Sequence, residues 1–304
     1  MLHTQQNTEI FRSNLDHRQL PDLQNSLNIV KNFENEPVFI EQLTKHGIDP
    51  HDRTSVDYAN ALSYYAQDYC NTRADMLEPK QSQEISLIAS TPRMLHVSQE
   101  IAQYEGMRKT RRLDDSEWSY LTQTLKPYSV EYNQNLSDYI FKYSDTNFKS
   151  LNETLADGAY DSFPHRESAV EQQIKIISRG ARTEAVGRHL LEDTPIEYTP
   201  GTPEDDLRGG DIIIIYKGKR IKVDFKSSLD SIAKLRGGYD EITEKKLTYA
   251  LVHNKRDQYG SIVLFPGFTD NDLGDNCRLP KKMAEERSFS IMIQLQRACH
   301  ELGL

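Results

Sequence analysis

Apolar residues in the first half of the chain recur every three or four positions, which is the repeat of an amphipathic helix. Residues 56–66 show this repeat, and Thr54 or Ser55 before them is a suitable N-cap. Further helices are predicted at residues 38–45, 93–104, 116–125 and 130–143. Segments 77–82 and 158–164 are rich in turn-forming residues and are predicted connections. We therefore expect a mainly helical first domain, residues 1–155, followed by a second domain, residues 156–304.

The pattern changes in the second half, where a predicted helix at 167–192 precedes two runs typical of strands, 211–216 and 220–226. A short segment, Lys217 to Lys219, joins these two runs. The remaining predicted elements are a polar helix at 240–254, a short strand at 261–265 and a C-terminal helix at 285–302. The order α-β-β-α-β-α indicates an α/β fold of mixed α+β type.

The two strand-like runs are predicted to form a hairpin with a two-residue turn at Lys217 and Gly218. In that register the residue numbers of facing pairs sum to 435, so Asp211 faces Asp224. Their Cβ atoms would be about 5 Å apart, where like charges repel. Lys226 follows two residues later and lies on the same face. The opposite face is apolar, with Ile212, Ile214, Ile221, Val223 and Phe225.

Two aspartates beside a lysine make an oxygen-rich site, which suits Mg²⁺ or Mn²⁺ better than zinc. Such a metal orients a scissile phosphate, stabilises the charge that develops on its oxygens, and lowers the pKa of an attacking water. Lys226 is placed to position that water or to offset charge on the phosphate. The pattern therefore favours metal-assisted phosphodiester chemistry.

At these residues the chain resembles the PD-(D/E)xK nuclease superfamily, in which a helix with a carboxylate precedes a hairpin carrying Asp and then Asp/Glu-x-Lys. The corresponding residues are Gly209-Gly210-Asp211 and Asp224-Phe225-Lys226, preceded by Glu184 in the helix. The resemblance covers residues 167 to 267, and so it concerns only the second half of the chain. It implies a restriction-endonuclease-like α-β-β-α-β core.

The resemblance also implies roles for individual residues. Asp211 and Asp224 would be metal ligands together with the carbonyl of Phe225, Lys226 would be the catalytic lysine, and Glu184 would be an outer or second-metal carboxylate. The implied reaction is in-line attack by water that expels the 3′ oxygen, with Mg²⁺ or Mn²⁺ as cofactor. DNA is favoured over RNA as the nucleic-acid partner by the resemblance alone.

Each of these residues also has an ordinary structural interpretation. Asp211 could cap the strand, and Asp224 with Lys226 could be a surface ion pair. Other carboxylates could take the place of Glu184, either from the same helical stretch (Glu167, Glu171, Glu192) or from the following loop (Glu204, Asp205, Asp206). Ser227 and Ser228 could contact phosphate or could donate within a local turn.

Composition limits where an anionic partner can bind. The 304 residues include 37 Lys and Arg against 46 Asp and Glu, a formal charge of −9, which argues against a polybasic coat. Basic residues are concentrated in Met107 to Arg112, where Asp114 and Asp115 follow closely. A second concentration surrounds the hairpin and the segment after it: Lys217, Lys219, Arg220, Lys222, Lys245, Lys246, Lys255 and Arg256. These form either a local basic groove or exposed polar faces.

The chain has no apolar run of membrane-spanning length and no basic, apolar leader, so we expect a cytoplasmic protein that does not enter membranes. Cys70, Cys277 and Cys299 are widely spaced, which fits reduced thiols. Tyrosines at helical spacing in the first half indicate packing more than base stacking.

The residues favour metal-dependent phosphodiester hydrolysis, and the resemblance implies that the protein is a nuclease, most simply an endodeoxyribonuclease. Its first domain would serve substrate selection, docking of a protein partner or formation of a homodimer. One alternative is an inactive nuclease fold that works as a binding module. Another is a host-directed effector or toxin whose first half binds a protein. Replacing Asp211 and Asp224 distinguishes them, because only an enzyme loses its function with these carboxylates.

Overall fold

The computed structural model describes residues 21–202, 205, 210–238, 246–252 and 261–304. In the first half of the chain the described residues fold almost entirely into helices. Short 3-10 turns, Phe33–Asn35 and Tyr160–Ser162, and a π-helical turn, Leu121–Leu125, interrupt or follow them. The helices are α1 (Pro21–Asn32), α2 (Pro37–Lys45), α3 (Val56–Thr72), α4 (Pro79–Arg108), α5 (Asp115–Tyr120), α6 (Lys126–Lys142) and α7 (Phe148–Asp157).

The predicted start of α3 is confirmed, because the helix begins at Val56 and the side chain of Ser55 accepts a hydrogen bond from the Tyr58 N–H. The predicted bounds of α4 are wrong. This helix begins inside the segment predicted as a connection, since proline is well accommodated in the first turn and Pro79 opens the helix. It also continues through Pro92, where packing of its buried face outweighs the local cost of proline.

The second half holds the long helix α8 (Glu167–Glu192) at its predicted bounds, followed by a five-stranded sheet. The sheet order is β1-β2-β3-β5-β4, in which β3 and β5 are parallel and the other neighbours are antiparallel. A parallel pair needs a crossover connection, and α9 lies in it. The elements after α8 are β1 (Glu197–Pro200), β2 (Ile212–Tyr216), β3 (Lys219–Phe225), α9 (Leu229–Arg236), β4 (Tyr249–Val252), β5 (Ser261–Leu264), α10 (Asp270–Leu273) and α11 (Lys281–Glu301).

Two elements of the sheet differ from the prediction. Strand β1 was not predicted, and the polar helix predicted at 240–254 is wrong, because Tyr249–Val252 forms strand β4 against β5. The residues of β4 carry no pattern that distinguishes a strand from a helix, and pairing with a neighbour decides their conformation. The helix of this region is α9, which ends where Gly237 adopts a left-handed conformation. Residues 239–245 and 253–260 lie outside the described ranges.

The sheet is covered on both faces. One face packs against α8 and α11, with Ile212, Ile214, Ile221, Val223 and Phe225 contributing to this core as the alternation predicts. On the other face a smaller apolar cluster joins α9 to β4 and β5. The mixed α/β class is therefore confirmed.

The contacts divide the chain into two compact units. The first unit comprises the described residues up to His96 together with Lys149–Ile174. The second comprises Val97–Phe148 and Lys175–Leu304, and it contains the whole sheet. The functional division predicted at residue 155 stays a prediction. Within the described ranges every helix is too short or too polar to cross a membrane.

Candidate active site

The hairpin has the predicted turn and register. Lys217 and Gly218 both have positive φ angles, 49° and 75°, as a type I′ turn requires. The facing pairs run from Tyr216 and Lys219 to Ile212 and Val223, and their numbers sum to 435 throughout. The register argument is therefore confirmed over the full length of β2.

Asp211 lies just outside this ladder, so its predicted position directly opposite Asp224 in a regular ladder is not found. The ladder ends at Ile212, and the Asp211 side chain turns toward the backbone of β3. Its Oδ2 accepts a hydrogen bond of 2.6 Å from the N–H of Phe225. The Asp211 carbonyl in turn accepts from the Gly201 N–H at 2.9 Å. The N–H donor offsets part of the negative charge that direct facing would have concentrated.

Asp224 and Lys226 lie on the same face of the chain, as predicted. The Lys226 ammonium donates to Oδ1 of Asp224 at 2.7 Å. The Asp224 side chain is 13% exposed and that of Lys226 is 41% exposed. The carboxylate is thus largely shielded while the ammonium reaches solvent.

The backbone of β3 brings a third oxygen to this edge. The Lys226 N–H donates to the Leu264 carbonyl on β5, whereas the Phe225 N–H points the opposite way, to Asp211. Because the N–H and C=O of one strand residue point to the same side, the Phe225 carbonyl also faces the Asp211 side. Two carboxylates and a carbonyl therefore occupy neighbouring positions at the end of β3.

This donor set fits Mg²⁺ in its chemistry. Magnesium prefers oxygen ligands and is usually held by one or two carboxylates, with water and substrate phosphate completing its shell. Among the described residues there is no group of three or more His, Cys, Asp or Glu side chains placed to hold a metal ion. The protein would therefore supply two carboxylates, and Glu184 is not grouped with them.

Glu184 lies on α8, where its side chain is 12% exposed and is 3.8 Å from the guanidinium of Arg188. The same turn contacts the strand that carries the site, because Gly187 packs against the Phe225 ring. A Cβ placed on Gly187 would be 2.8 Å from that ring. Glu184 is thus on the helical turn that packs against the end of β3.

Sequence reasoning did not find Arg188. Its guanidinium donates to Oδ1 of Asp138 on α6 at 2.6 Å and lies 4.2 Å from the centre of the Phe141 ring. The four-residue spacing from Glu184 was a local signal for one of these contacts. Nothing in the sequence indicated Asp138, since it is 50 residues away.

The alternative carboxylates have other partners. Glu171 accepts a hydrogen bond from the Tyr160 hydroxyl, and burial together with this bond raises the pKa of Tyr160 to about 12. Glu192 pairs with His189 at 3.1 Å. Asp205 accepts hydrogen bonds from Thr202. Burial alone would raise the pKa of Asp205, but these bonds and the positive charges of Lys222 and Arg220 outweigh it and lower that pKa. Glu167 is exposed at the start of α8, and Glu204 and Asp206 lie outside the described residues.

The segment Met107 to Arg112 is locally balanced in charge. Arg108 pairs with Glu105 at 2.8 Å, and Arg111 pairs with Glu117 at 2.5 Å. These contacts agree with the interpretation as a solvated segment. Its use as a phosphate contact stays a prediction.

The lysines of the hairpin turn lie far from the aspartates. Lys219 is at the opposite end of β3 from Asp224, about 17 Å away along the strand. Lys222 lies closer to the loop beside the site, 3.9 Å from Asp205. Lys245, Lys255 and Arg256 lie outside the described residues, so the predicted basic groove stays a prediction.

The remaining candidates have structural surroundings. Ser228 precedes α9, with its hydroxyl 3.3 Å from that of Ser231. Cys70, Cys277 and Cys299 are buried, and burial raises the pKa of both Cys277 and Cys299 to about 11. These two thiols are therefore poor nucleophiles at neutral pH.

No protein-family model matches the chain, and comparison with curated proteins and with solved structures likewise finds no match.

Proposed function

We propose that the unit containing the sheet is a metal-dependent nuclease that hydrolyses phosphodiester bonds, with DNA as the favoured substrate. The observation that carries this proposal is the hydrogen bond that the Phe225 N–H donates to Asp211. Phe225 is the residue between Asp224 and Lys226, which pair with each other. The bond from Phe225 brings the Asp211 carboxylate to the strand end that carries the Asp224 carboxylate, the Phe225 carbonyl and the Lys226 ammonium. These are the functional groups needed for metal-assisted attack of water on a phosphate.

The order of elements supports the proposal. Helix α8 precedes the hairpin β2–β3, and α9 lies between the parallel strands β3 and β5. With the two edge strands β1 and β4 set aside, these elements follow the α-β-β-α-β order that the resemblance to PD-(D/E)xK nucleases implies, which supports the proposal without establishing that core. The site lies at the carboxyl end of β3, and ligands commonly bind at the carboxyl ends of parallel strands.

The residues have distinct tasks in this mechanism. Asp211, Asp224 and the Phe225 carbonyl would hold Mg²⁺, which when bound supplies charge stabilisation at the scissile phosphate and a more acidic water. Lys226 orients the attacking water or offsets charge on the phosphate, for which its exposed ammonium is suited. The Asp211–Phe225 hydrogen bond fixes one carboxylate before substrate arrives, which lowers the cost of organising the site.

The test compares wild type with Asp224→Asn on supercoiled plasmid, linear duplex, single-stranded DNA and structured RNA, with Mg²⁺, Mn²⁺ or EDTA. Asp193→Asn is the matched control, because Asp193 is an exposed aspartate just after α8. We expect metal-dependent cleavage by wild type and the control, and its loss in Asp224→Asn. Calorimetry with Mn²⁺ measures binding independently of turnover.

Absence of cleavage on every substrate, together with absence of Mn²⁺ binding, would overturn the proposal. The search would then move to protein partners, as expected for a binding module or an effector. Cleavage of RNA alone would support the proposed reaction and show that the substrate is RNA and not DNA.

A further inference from the structure

A buried arginine connects a helix from the first half of the chain to the helix that packs against the site. The Arg188 side chain is only 6% exposed. It donates to Asp138 of α6 at 2.6 Å, lies 4.2 Å from the centre of the Phe141 ring, and is 3.8 Å from Glu184. All of these residues belong to the unit that contains the sheet.

The position of Arg188 is fixed by shape as much as by hydrogen bonds. Its Nε is buried and has no hydrogen-bond partner within the part of the chain that the structure describes. Buried donors are rarely left in this way, and those that persist are held by their surroundings. A planar guanidinium between a carboxylate and an aromatic ring is a geometry that lysine cannot reproduce.

Gly187, which precedes Arg188 in α8, contacts strand β3. Gly187 packs so closely on Phe225 that any Cβ would overlap the ring. The backbone N–H of the same Phe225 holds the Asp211 carboxylate. A continuous set of contacts therefore runs from Asp138 through Arg188 and the α8 turn to Phe225 and Asp211.

We propose that Arg188 is a positioning residue of the site, which fixes the α8 turn against Phe225 and thereby the Asp211 carboxylate, with Asp138 as its anchor. Helix α6 thus takes part in organising the site although it lies in the half predicted to be a separate domain. The catalytic consequence rests on the proposed nuclease function. The structural consequence, a fixed position of the Asp211 carboxylate, does not depend on that function.

The first test measures hydrogen exchange of the Phe225 amide by NMR in full-length protein labelled with ¹⁵N-phenylalanine. A Phe225→Leu sample assigns the signal among the 10 phenylalanines. The variants are Asp138→Asn and Arg188→Lys, and Glu131→Gln, at an exposed position of the same helix, is the control. We expect the Phe225 amide to exchange at least about tenfold faster in both variants, while the Phe39 amide in the other unit is unchanged.

The second test measures cleavage kinetics. We expect Asp138→Asn to lower kcat about tenfold with KM within about twofold, because orientation of the site and not substrate binding is lost. Asp138→Glu restores part of the rate, since it can still pair with Arg188. Asp138 is the more accessible partner, so this variant tests the proposal even if Arg188→Lys fails to fold.

The outcomes separate the two proposals. Faster Phe225 exchange with a lower kcat supports both. Faster exchange in a protein whose wild type neither cleaves any substrate nor binds Mn²⁺ supports the positioning role and overturns the nuclease proposal. Unchanged Phe225 exchange in folded Asp138→Asn overturns the positioning role, whatever the kinetics show.

Discussion

The Asp211 carboxylate is bound to the backbone N–H of Phe225, 2.6 Å away, at the point where the hairpin ladder ends. A side chain here accepts the bond that a backbone carbonyl would accept in a longer ladder. The position of this carboxylate therefore depends on main-chain geometry, while its charge remains available to a ligand. Stability and chemistry at Asp211 can be separated by substitution for this reason.

Asp211→Asn keeps an acceptor for the Phe225 N–H and removes the charge. We expect it to lower the free energy of unfolding by less than about 1 kcal/mol, and Asp211→Ala by about 1–3 kcal/mol. If the proposed function holds, both reduce cleavage about 100-fold or more, because the proposed metal ligand is lost. Urea unfolding and plasmid cleavage measure the two effects. Equal stability of the two variants would show that the hydrogen bond contributes nothing.

Gly187→Ala is expected to destabilise the protein by about 1–3 kcal/mol, since the added methyl group overlaps the Phe225 ring. Gly180→Ala is the matched control on the same helix, where the Cβ meets open space. It should stabilise by up to about 1 kcal/mol through helix propensity. Urea midpoints of the two variants check the prediction. A stabilising Gly187→Ala would contradict the close contact.

Lys217→Asn should stabilise the hairpin by about 0.5–1 kcal/mol, because asparagine tolerates the positive φ of this position better than lysine. Thermal unfolding measures the gain. Cleavage should stay within about twofold of wild type, since the turn is roughly 20 Å along the strand from Asp224. A larger change in rate would indicate that the basic turn contacts substrate.

The half-buried His189 predicts a loss of stability in mild acid. Burial lowers the pKa of His189, as do the charges of Arg278 and Arg188, while Glu192 opposes them. Below the ordinary histidine pKa of about 6.5 the unfolded chain therefore takes up a proton that the folded chain does not, and folding is weakened. The stability contribution is complete above that pKa and is lost as the pH falls below it.

We expect the free energy of unfolding to fall more between about pH 7.5 and pH 5.5 in wild type than in His189→Gln. Urea unfolding at several pH values measures both proteins. Parallel curves for the two proteins would exclude His189 as the cause.

The sequence predicted those parts of the fold that depend on local pattern. The bounds of α8 and the register of β2 with β3 follow from periodicity and turn chemistry, and both are confirmed. Strand β4 could not be predicted because its conformation depends on pairing with β5, nine or more residues further along the chain. The bounds of α4 could not be predicted, because Pro79 opens this helix within the segment predicted as a connection and burial of the surrounding face continues the helix through Pro92.

The candidate site shows the same division. Asp211, Asp224 and Lys226 could be grouped from the hairpin alone. Turning of the Asp211 side chain to the Phe225 N–H could not be predicted, because it depends on where the ladder stops. The pairing of Arg188 with Asp138 joins segments 50 residues apart and leaves no local pattern.

The chain passes from the first compact unit to the second, back to the first, and again to the second. During synthesis the first unit therefore cannot be completed until Ile174 has left the ribosome, after Val97–Phe148 of the other unit has already emerged. Residues 97–148 cannot complete the second unit until the residues of the sheet have also been synthesised. No single cut of the polypeptide releases either unit whole, so fragments for expression would need two joined segments.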